Sequence, residues 1–256
     1  MKIPRALLVA AAMMELEARR LRHEHTEVVT RAVQPLLWLL VFGPIMANTR
    51  AIPTGGVPYM EFLTPGVVVQ SVTFVSIFYG LNIVWEGESG ILKRLLSLPI
   101  PRFSIVVGRA SAAFIRALVQ FVVVSTVAAA AGVRLSIDAA SLAVSVASIY
   151  LLSLGLASLS IFIAAFMKTR ERFMGIGQAI TMPLWFSSNA IYPTAVMPDV
   201  FKIVALANPL TYGVDALRKV LIFHSFDAWL DLAALGVFAA ATATLASLNF
   251  RRVIQQ

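Results

Sequence analysis

Six segments of the chain are each long and apolar enough to cross a lipid bilayer as a helix. They cover residues 28–47, 65–85, 103–133, 137–167, 173–191 and 228–250. A helix needs about 20 mainly apolar residues to cross the hydrocarbon core. A transmembrane barrel would instead alternate apolar and polar residues in segments of about ten, and these segments are apolar throughout. The sequence therefore predicts an all-α integral membrane protein with six transmembrane helices.

The composition agrees with this class. Hydrophobic residues make up 59% of the chain and charged residues only 13%, whereas a soluble domain has about 25% charged residues. A single soluble core of this size could not bury so much apolar surface. The chain has no cysteine, which excludes a disulfide framework and a thiolate metal site. The net charge of +8 is spread along the chain, so no nucleic-acid partner is expected.

The distribution of lysine and arginine predicts the orientation of the spans. Cytoplasmic loops carry an excess of these residues. With the N-terminus inside, fifteen of the 21 fall on the cytoplasmic side, five fall outside and Arg116 lies within the third span. The asymmetry predicts that both termini are cytoplasmic. This requires an even number of spans and agrees with six.

The segment before the first span, residues 1–27, has the pattern of an amphipathic helix. Leu7 and Met14 lie seven residues apart on an apolar face, and Arg19 and Arg22 lie on another face. Such a helix either lies along the cytoplasmic surface of the membrane or packs against the protein's own spans. The predicted organisation is an amphipathic segment, residues 1–27, followed by a six-span region, residues 28–256.

The loop after the second span contains a short amphipathic stretch, residues 91–98. Its leucines can face the membrane or a partner, while Lys93 and Arg94 face water. Gly90 and Pro99 bound the stretch, since glycine weakens a helix and proline cannot continue one. A helix held at both ends across the cytoplasmic face can pass movement from a soluble partner to two spans; the alternative is a plain connector. The residues that we expect to form this helix and its ends are Glu86, Glu88, Gly90, Leu92, Lys93, Arg94, Leu95, Leu96, Pro99 and Arg102.

A polar, proline-rich stretch, residues 189–224, follows the fifth span and is predicted to lie outside. Irregular backbone at membrane depth is tolerated only where it is buried in protein or lines water. We predict two short helices that return partway into the membrane and break at Asn208-Pro209; the alternative is an ordinary exposed loop. With Asn189 and Tyr192, these residues are candidates for an export path or its gate.

Charged and aromatic residues within the spans are further candidates. Arg116 is a cation inside an apolar segment, which is a candidate functional position by default, and Gln120 follows one turn later. Arg116 contacts an anionic substrate, pairs with a carboxylate of another span, or extends to the cytoplasmic surface. Phe74 and Phe78 line a path for an amphiphile or simply pack in the bundle.

Three groups of residues resemble the permease subunits of type-2 ABC exporters, which include drug, lipid and polysaccharide exporters. The resemblance runs along nearly the whole chain. The first group is Leu63-Thr64-Pro65-Gly66 at the second span. The second is the loop pattern of Glu88, Gly90, Leu92, Leu95, Leu96, Pro99, Arg102, Gly108 and Arg109. The third consists of Pro183, Ser187, Pro193, Met197-Pro198, Asn208-Pro209-Leu210-Thr211-Tyr212, Asp215 and Arg218.

The resemblance implies how the chain works. Residues 91–98 would be a coupling helix that docks on a separate ATP-binding subunit, and the N-terminal segment would be an interface helix that includes Leu7, Met14, Arg19 and Arg22. The re-entrant helices would cap the path on the outer side. Two permeases, expected to be identical, would assemble with two ATP-binding subunits in a bacterial or archaeal inner membrane. This chain would bind no cofactor, and ATP and magnesium would bind to the partner.

The chain itself has no G-x-x-x-x-G-K-[ST] phosphate loop, the sequence that cradles the phosphates of ATP. We therefore expect a transporter subunit and no enzyme, with an amphiphilic cargo that is a drug-like molecule, a lipid or a lipid-linked glycan. An ion-coupled secondary transporter is the first alternative, but it would need ionisable pairs at mid-membrane, and the spans carry almost no acidic residues. A membrane-embedded enzyme is the second, and no convergent polar cluster supports it.

Overall fold

The protein is a bundle of helices. Its structure, a computed structural model, describes residues 5–23, 25–50, 52–88, 101–167 and 169–250, and every regular element within these ranges is a helix. The elements in chain order are α1 (Arg5–Leu21), α2 (His25–Leu37), a π-helical turn (Trp38–Phe42), α3 (Gly43–Thr49), α4 (Tyr59–Glu88), α5 (Arg102–Ala130), α6 (Ala139–Ala164), α7 (Arg170–Phe186), a 3₁₀ turn (Thr194–Val196), α8 (Asp199–Ala207), α9 (Pro209–Leu221) and α10 (Trp229–Asn249).

Five helices in the described ranges are long and apolar enough to cross a membrane. They are Thr26–Thr49, which joins α2 to α3 through the π-helical turn, Tyr59–Trp85, Arg102–Ala130, Ala139–Ala164 and Trp229–Asn249. The count rises to six if α8 and α9 are taken together, although the two are bent by 83° at the break between them. The prediction of an all-α protein with several apolar spans is confirmed.

The predicted fifth span corresponds to α7 but is shorter than expected. Helix α7 has 17 residues, which is about 26 Å of helix against a hydrocarbon core about 30 Å thick. It ends at Phe186 rather than at residue 191. Ala190 and Ile191 are buried, so the apolar pattern continues past the end of the helix into irregular backbone.

Helix α4 forms the centre of the bundle, with 78% of its most apolar stretch buried. It contacts α5, α6, α7 and α9. Helix α6 packs against its neighbours through small residues: Gly155 faces Phe238 of α10, and the Ser160 hydroxyl accepts a hydrogen bond of 3.1 Å from the Gly80 amide of α4. Small residues allow helix backbones to approach closely in a membrane, where packing rather than the hydrophobic effect holds helices together.

Polar caps fix where several helices begin. The carboxylate of Asp138 accepts a hydrogen bond of 3.0 Å from the Ser141 amide at the start of α6, which satisfies a donor that has no partner within the helix. Hydrogen bonds from the Ser136 and Ser141 hydroxyls and from that amide hold the pKa of Asp138 well below its usual range. Thr169 caps α7 and Asn208 caps α9 in the same way.

Candidate functional site

The predicted coupling helix lies between two long helices. Helix α4 ends at Glu88 and α5 begins at Arg102. Gly90, Leu92, Lys93, Arg94, Leu95, Leu96 and Pro99 lie outside the described residues, and so do the side chains of Glu86 and Glu88. The coupling role of this loop therefore stays a prediction.

The N-terminal helix α1 packs lengthwise along α5. Val9 lies against Gly108, where a Cβ atom would come within 2.8 Å of the valine side chain. Eight residues further along both helices, Glu17 pairs with Arg116. Since the two contacts have the same spacing on each helix, α1 and α5 run parallel over two turns. This is the alternative in which the amphipathic segment packs against the protein's own spans, and a position along the membrane surface stays a prediction.

The four residues predicted for an interface helix lie in different environments. Met14 is half-buried, Arg19 and Arg22 are exposed, and the side chain of Leu7 lies outside the described residues. Arg19 pairs with Glu15 at 2.7 Å on the open side of the helix.

A cluster of charges lies where α1, α2, α4 and α5 meet. The Arg116 guanidinium pairs with Glu17 of α1, and its Nη1 atom lies 2.5 Å from Oε2 of Glu27 at the start of α2. The Tyr79 hydroxyl of α4 donates to Glu17 at 3.5 Å, and Arg31 pairs with Glu27 at 2.7 Å. We call these five residues the charge cluster.

Arg116, Glu17 and Tyr79 of the charge cluster are largely removed from solvent, whereas Arg31 and Glu27 are 31% and 32% exposed. The side chain of Arg116 is 10% exposed and that of Glu17 is 3% exposed. A buried charge is tolerated when it is paired and hydrogen-bonded. Arg116 was predicted to contact an anionic substrate, to pair with a carboxylate of another span or to extend to the cytoplasmic surface. It pairs with carboxylates, but these lie on α1 and in the first turn of α2, before the predicted first span.

The space beside the charge cluster is small. A cavity of about 10 Å³ is lined by Leu21, Glu27, Val28, Arg31, Val75, Arg116 and Gln120. This volume holds about one water molecule, so it has no room for an amphiphile. Gln120 donates from Nε2 to the carbonyl oxygen of Val28 at 3.1 Å, which ties α5 to α2 one turn beyond the charge cluster.

Phe74 and Phe78 stack on each other along α4, with ring centroids 6.1 Å apart. Both are half-buried, and Phe78 contacts Gly177 of α7. This packing role is the second of the two readings that the sequence leaves open, and a role in a substrate path stays a prediction.

Asn208 organises the bend between α8 and α9. Its Oδ1 accepts from the Leu210 amide at 2.9 Å, and its Nδ2 donates to the Leu184 carbonyl oxygen at 2.6 Å and to the Ser187 hydroxyl at 3.1 Å. Pro209 is the first residue of α9, a position that needs no backbone N–H. The break at Asn208-Pro209 is thus tied to the end of α7.

A second buried arginine, Arg218 of α9, holds this region against α4. Its Nη2 donates to the carbonyl oxygens of Phe62 at 3.2 Å and Asn189 at 3.1 Å, and its guanidinium lies over the Phe62 ring. Nη1 lies 3.6 Å from Asp215, which also accepts from Asn189 Nδ2 at 2.6 Å. The sequence analysis named Asn189 as a path residue; here it links the α7–α8 connection to α9.

Tyr192 lies at an apolar groove near the same bend. The groove has a volume of about 430 Å³ and is lined by Ile52, Tyr192, Val196, Met197, Pro198 and Phe201. The Tyr192 hydroxyl donates to the Phe186 carbonyl oxygen at 2.6 Å. Most of the lining is therefore apolar, while the one hydroxyl is already engaged.

Sequence reasoning missed Glu17 and Glu27 as partners of Arg116. Glu17 lies seven residues after Ala10 and four before Leu21, so it interrupts the apolar face of α1. A carboxylate on that face was the available signal that it has a buried partner. Glu27 gave no such signal, because it lies among other charged residues.

The long apolar helices define a polytopic helical membrane protein. The family model of the ABC-2 type transporter matches residues 8–222. This chain belongs to that family, and the resemblance to ABC exporter permeases is confirmed.

Several named relatives support the assignment. The chain is 29% identical over 213 residues to "Putative transport permease ycf38" of Cyanophora paradoxa, covering 82% of this chain and 72% of the relative. It is 25% identical over 252 residues to "Daunorubicin resistance ABC transporter permease protein DrrB1" of Streptomyces coeruleorubidus, covering 96% and 87%. It is 27% identical over 195 residues to "Nodulation protein J" of Rhizobium leguminosarum bv. trifolii, covering 75% and 72%.

Proposed function

We propose that this chain is the membrane-embedded permease of an ATP-driven exporter that moves an amphiphile out of the cytoplasm or the inner leaflet. The observation that carries the proposal is the family match, which extends from α1 through α9. The 256 residues contain no phosphate loop, so ATP and magnesium bind to a separate subunit. Two copies of that subunit act on two copies of the permease in the inner membrane, with both permease termini in the cytoplasm.

The connection between α4 and α5 is the part through which the ATPase acts. The last turns of α4 are attached to α7, because the Arg170 guanidinium lies 3.6 Å from the centroid of the Trp85 ring. Helix α5 is attached to α1 and α2 through the charge cluster. A displacement of residues 91–98 is therefore passed from α4 to α7 and from α5 to α1 and α2.

The first span supplies the contact with the second permease. Only 22% of its most apolar stretch is buried within the single chain, and Val33, Leu37 and Val41 are exposed along one side. Van der Waals packing against another helix is the driving force for association in a membrane. We place the first and fifth spans of each copy at the centre of the dimer, with the export path between the copies.

The cargo is a molecule with a large apolar part. One relative is named for daunorubicin resistance, and the groove beside Tyr192 is mainly apolar. An amphiphilic drug, a lipid or a lipid-linked glycan fits these features. The bend at Asn208-Pro209 forms the re-entrant outer cap of the path.

Copurification tests the proposal. The permease is expressed with and without a candidate ATP-binding subunit from the same genome, and ATP hydrolysis is measured in lipid nanodiscs. The expected result is a stable complex whose ATPase activity depends on this chain. Transport by this chain alone, driven by an ion gradient and independent of ATP, would reject the proposal in favour of a secondary transporter.

A charge reversal tests the loop itself. Lys93→Glu with Arg94→Glu should remove the stimulation of ATP hydrolysis while leaving membrane insertion intact, because it reverses the charge of the stretch that is predicted to dock on the ATP-binding subunit. The control is Lys202→Glu in α8, which changes a charge on the side predicted to lie outside. Equal loss of stimulation in both variants would show that the loop has no special role.

A further inference from the structure

The charge cluster joins two consecutive N-terminal helices to a helix that lies much later in the sequence. Glu17 belongs to α1, Glu27 lies in the first turn of α2, and Arg116 is the middle residue of α5, fourteen residues from either end. Both carboxylates contact the same guanidinium. Through this one side chain, the N-terminal helix and the first span are both attached to α5.

These contacts differ in kind from the exposed ion pair on the same helix. Glu15 and Arg19 are 65% and 74% exposed, and when such an exposed pair opens, water solvates both charges at little cost in free energy. Glu17 and Arg116 have little access to solvent, so separating them would leave the Glu17 carboxylate buried without this cation, which is strongly unfavourable. Separation of the buried pair therefore costs much more free energy than separation of the exposed pair.

The packing around the pair favours a movement in which α1, α2 and α5 stay together. Val9 and Gly108 are in close contact two turns away, and the Gln120 amide binds the Val28 carbonyl oxygen one turn beyond. Contacts thus extend along α5 on both sides of Arg116. The adjoining cavity accommodates about one water molecule, so the guanidinium is occupied by protein groups and not by cargo.

We infer that Glu17 is a positioning residue of the transport cycle: with Glu27 it fixes α1 and the first span to Arg116, so that these helices move together with α5. This inference rests on the proposed function, because it is the ATPase that displaces α5. The displacement then reaches the first span, where the second permease packs. In this account Arg116 acts as the joint between the driven helix and the first span, and it does not contact cargo.

We call the contacts of Glu17 and Glu27 with Arg116 the clamp. Distance measurements between spin labels test the clamp in the permease alone. The chain has no cysteine, so Leu8→Cys on α1 and Val122→Cys on α5 introduce two unique label sites, both at exposed positions. By the register of α1 on α5, they lie about 22 Å apart along the helix axis. Glu17→Gln should broaden the distance distribution, whereas the control Glu15→Gln should leave it unchanged. Identical distributions in the two variants would overturn the inference.

The second measurement uses the complex with the ATP-binding subunit, before and after trapping with ATP and vanadate. In the unaltered chain the distance from α1 to α5 should stay constant on trapping, while in Glu17→Gln it should change. A change in the unaltered chain would show that α1 does not follow α5 and would overturn the inference. Glu27→Gln provides a second variant in case Glu17→Gln does not insert.

The two arms separate the inference from the proposed function. Absence of any complex with an ATPase would reject the proposed function, yet the comparison of Glu17→Gln with Glu15→Gln in the permease alone would still decide whether the clamp exists. The other outcome is that the complex forms and hydrolyses ATP normally while Glu17→Gln leaves the distance between α1 and α5 unchanged, both in the permease alone and in the complex. That result would reject the clamp and leave the proposed function standing.

Discussion

Replacing Gly66 by alanine should loosen the contact between α4 and the segment that connects α7 to α8. Gly66 lies in α4, and a Cβ atom there would come within 2.5 Å of the carbonyl oxygen of Ala190 and 2.9 Å of its Cα. These are backbone atoms, which cannot rotate out of the way as a flexible side chain can. The segment that connects α7 to α8 must therefore move away from α4.

The expected loss of stability follows from two opposing effects. Overpacking a tight contact costs about 1–3 kcal/mol, and displacement of the segment also weakens the hydrogen bond of 3.2 Å from Trp185 Nε1 to the Gly66 carbonyl oxygen. Alanine is a better helix residue than glycine by about 0.5–1 kcal/mol. We expect a net decrease of about 1–2 kcal/mol in the free energy of unfolding.

The matched control is Gly236→Ala in α10, where no other described atom lies within 4 Å of the added methyl group. This variant should be unchanged or more stable by up to about 1 kcal/mol. Reversible unfolding in mixed micelles, followed by tryptophan fluorescence, gives both values. Equal stability of Gly66→Ala and Gly236→Ala would refute the argument that α4 and residue 190 are in direct backbone contact.

Other substitutions test the remaining contacts. Arg116→Ala should lower the free energy of unfolding by about 3–5 kcal/mol because it removes the cation that pairs with the buried Glu17 carboxylate, whereas Arg19→Ala should cost less than about 1 kcal/mol; the same unfolding assay compares them, and equal losses would contradict the burial of Arg116 and Glu17. Asn208→Ala should cost about 1–2 kcal/mol through loss of the α9 cap, and limited proteolysis should cleave near the bend faster than in the unaltered chain; unchanged cleavage would contradict the role of the cap. Trp185→Phe should cost about 1 kcal/mol from the lost indole hydrogen bond, and a stability equal to the unaltered chain would show that this bond contributes nothing.

The apolar segments predicted most of the spans because each covers enough residues to cross the bilayer, and no longer-range information is needed for that conclusion. The end of the fifth segment was misplaced for the same reason. Ala190 and Ile191 are apolar and buried, but Asn189 and the preceding serines make contacts that interrupt the helix. The apolar composition of a segment indicates that it is buried in the protein or the membrane, but it does not indicate whether its backbone is helical.

Partners of charged residues were harder to predict than the charged residues themselves. Arg116 was recognisable as a cation inside an apolar segment. Its partner Glu17 lies 99 residues earlier in the sequence, and only the fold brings the two together. Residues 189–224 were predicted to return into the membrane, but the contacts of Arg218 with Phe62 and Asn189 were not predicted, because a local pattern does not show which residues meet in the fold.

The loop between α4 and α5 must lie on the cytoplasmic side for the proposed function, since an ATPase in the cytoplasm must reach it. Because the chain lacks cysteine, Lys93→Cys creates a single thiol in this loop. A thiol reagent that cannot cross membranes should label it in inside-out vesicles and not in intact cells. Labelling from the outside of intact cells would contradict the account, since no cytoplasmic ATPase could then act on this loop.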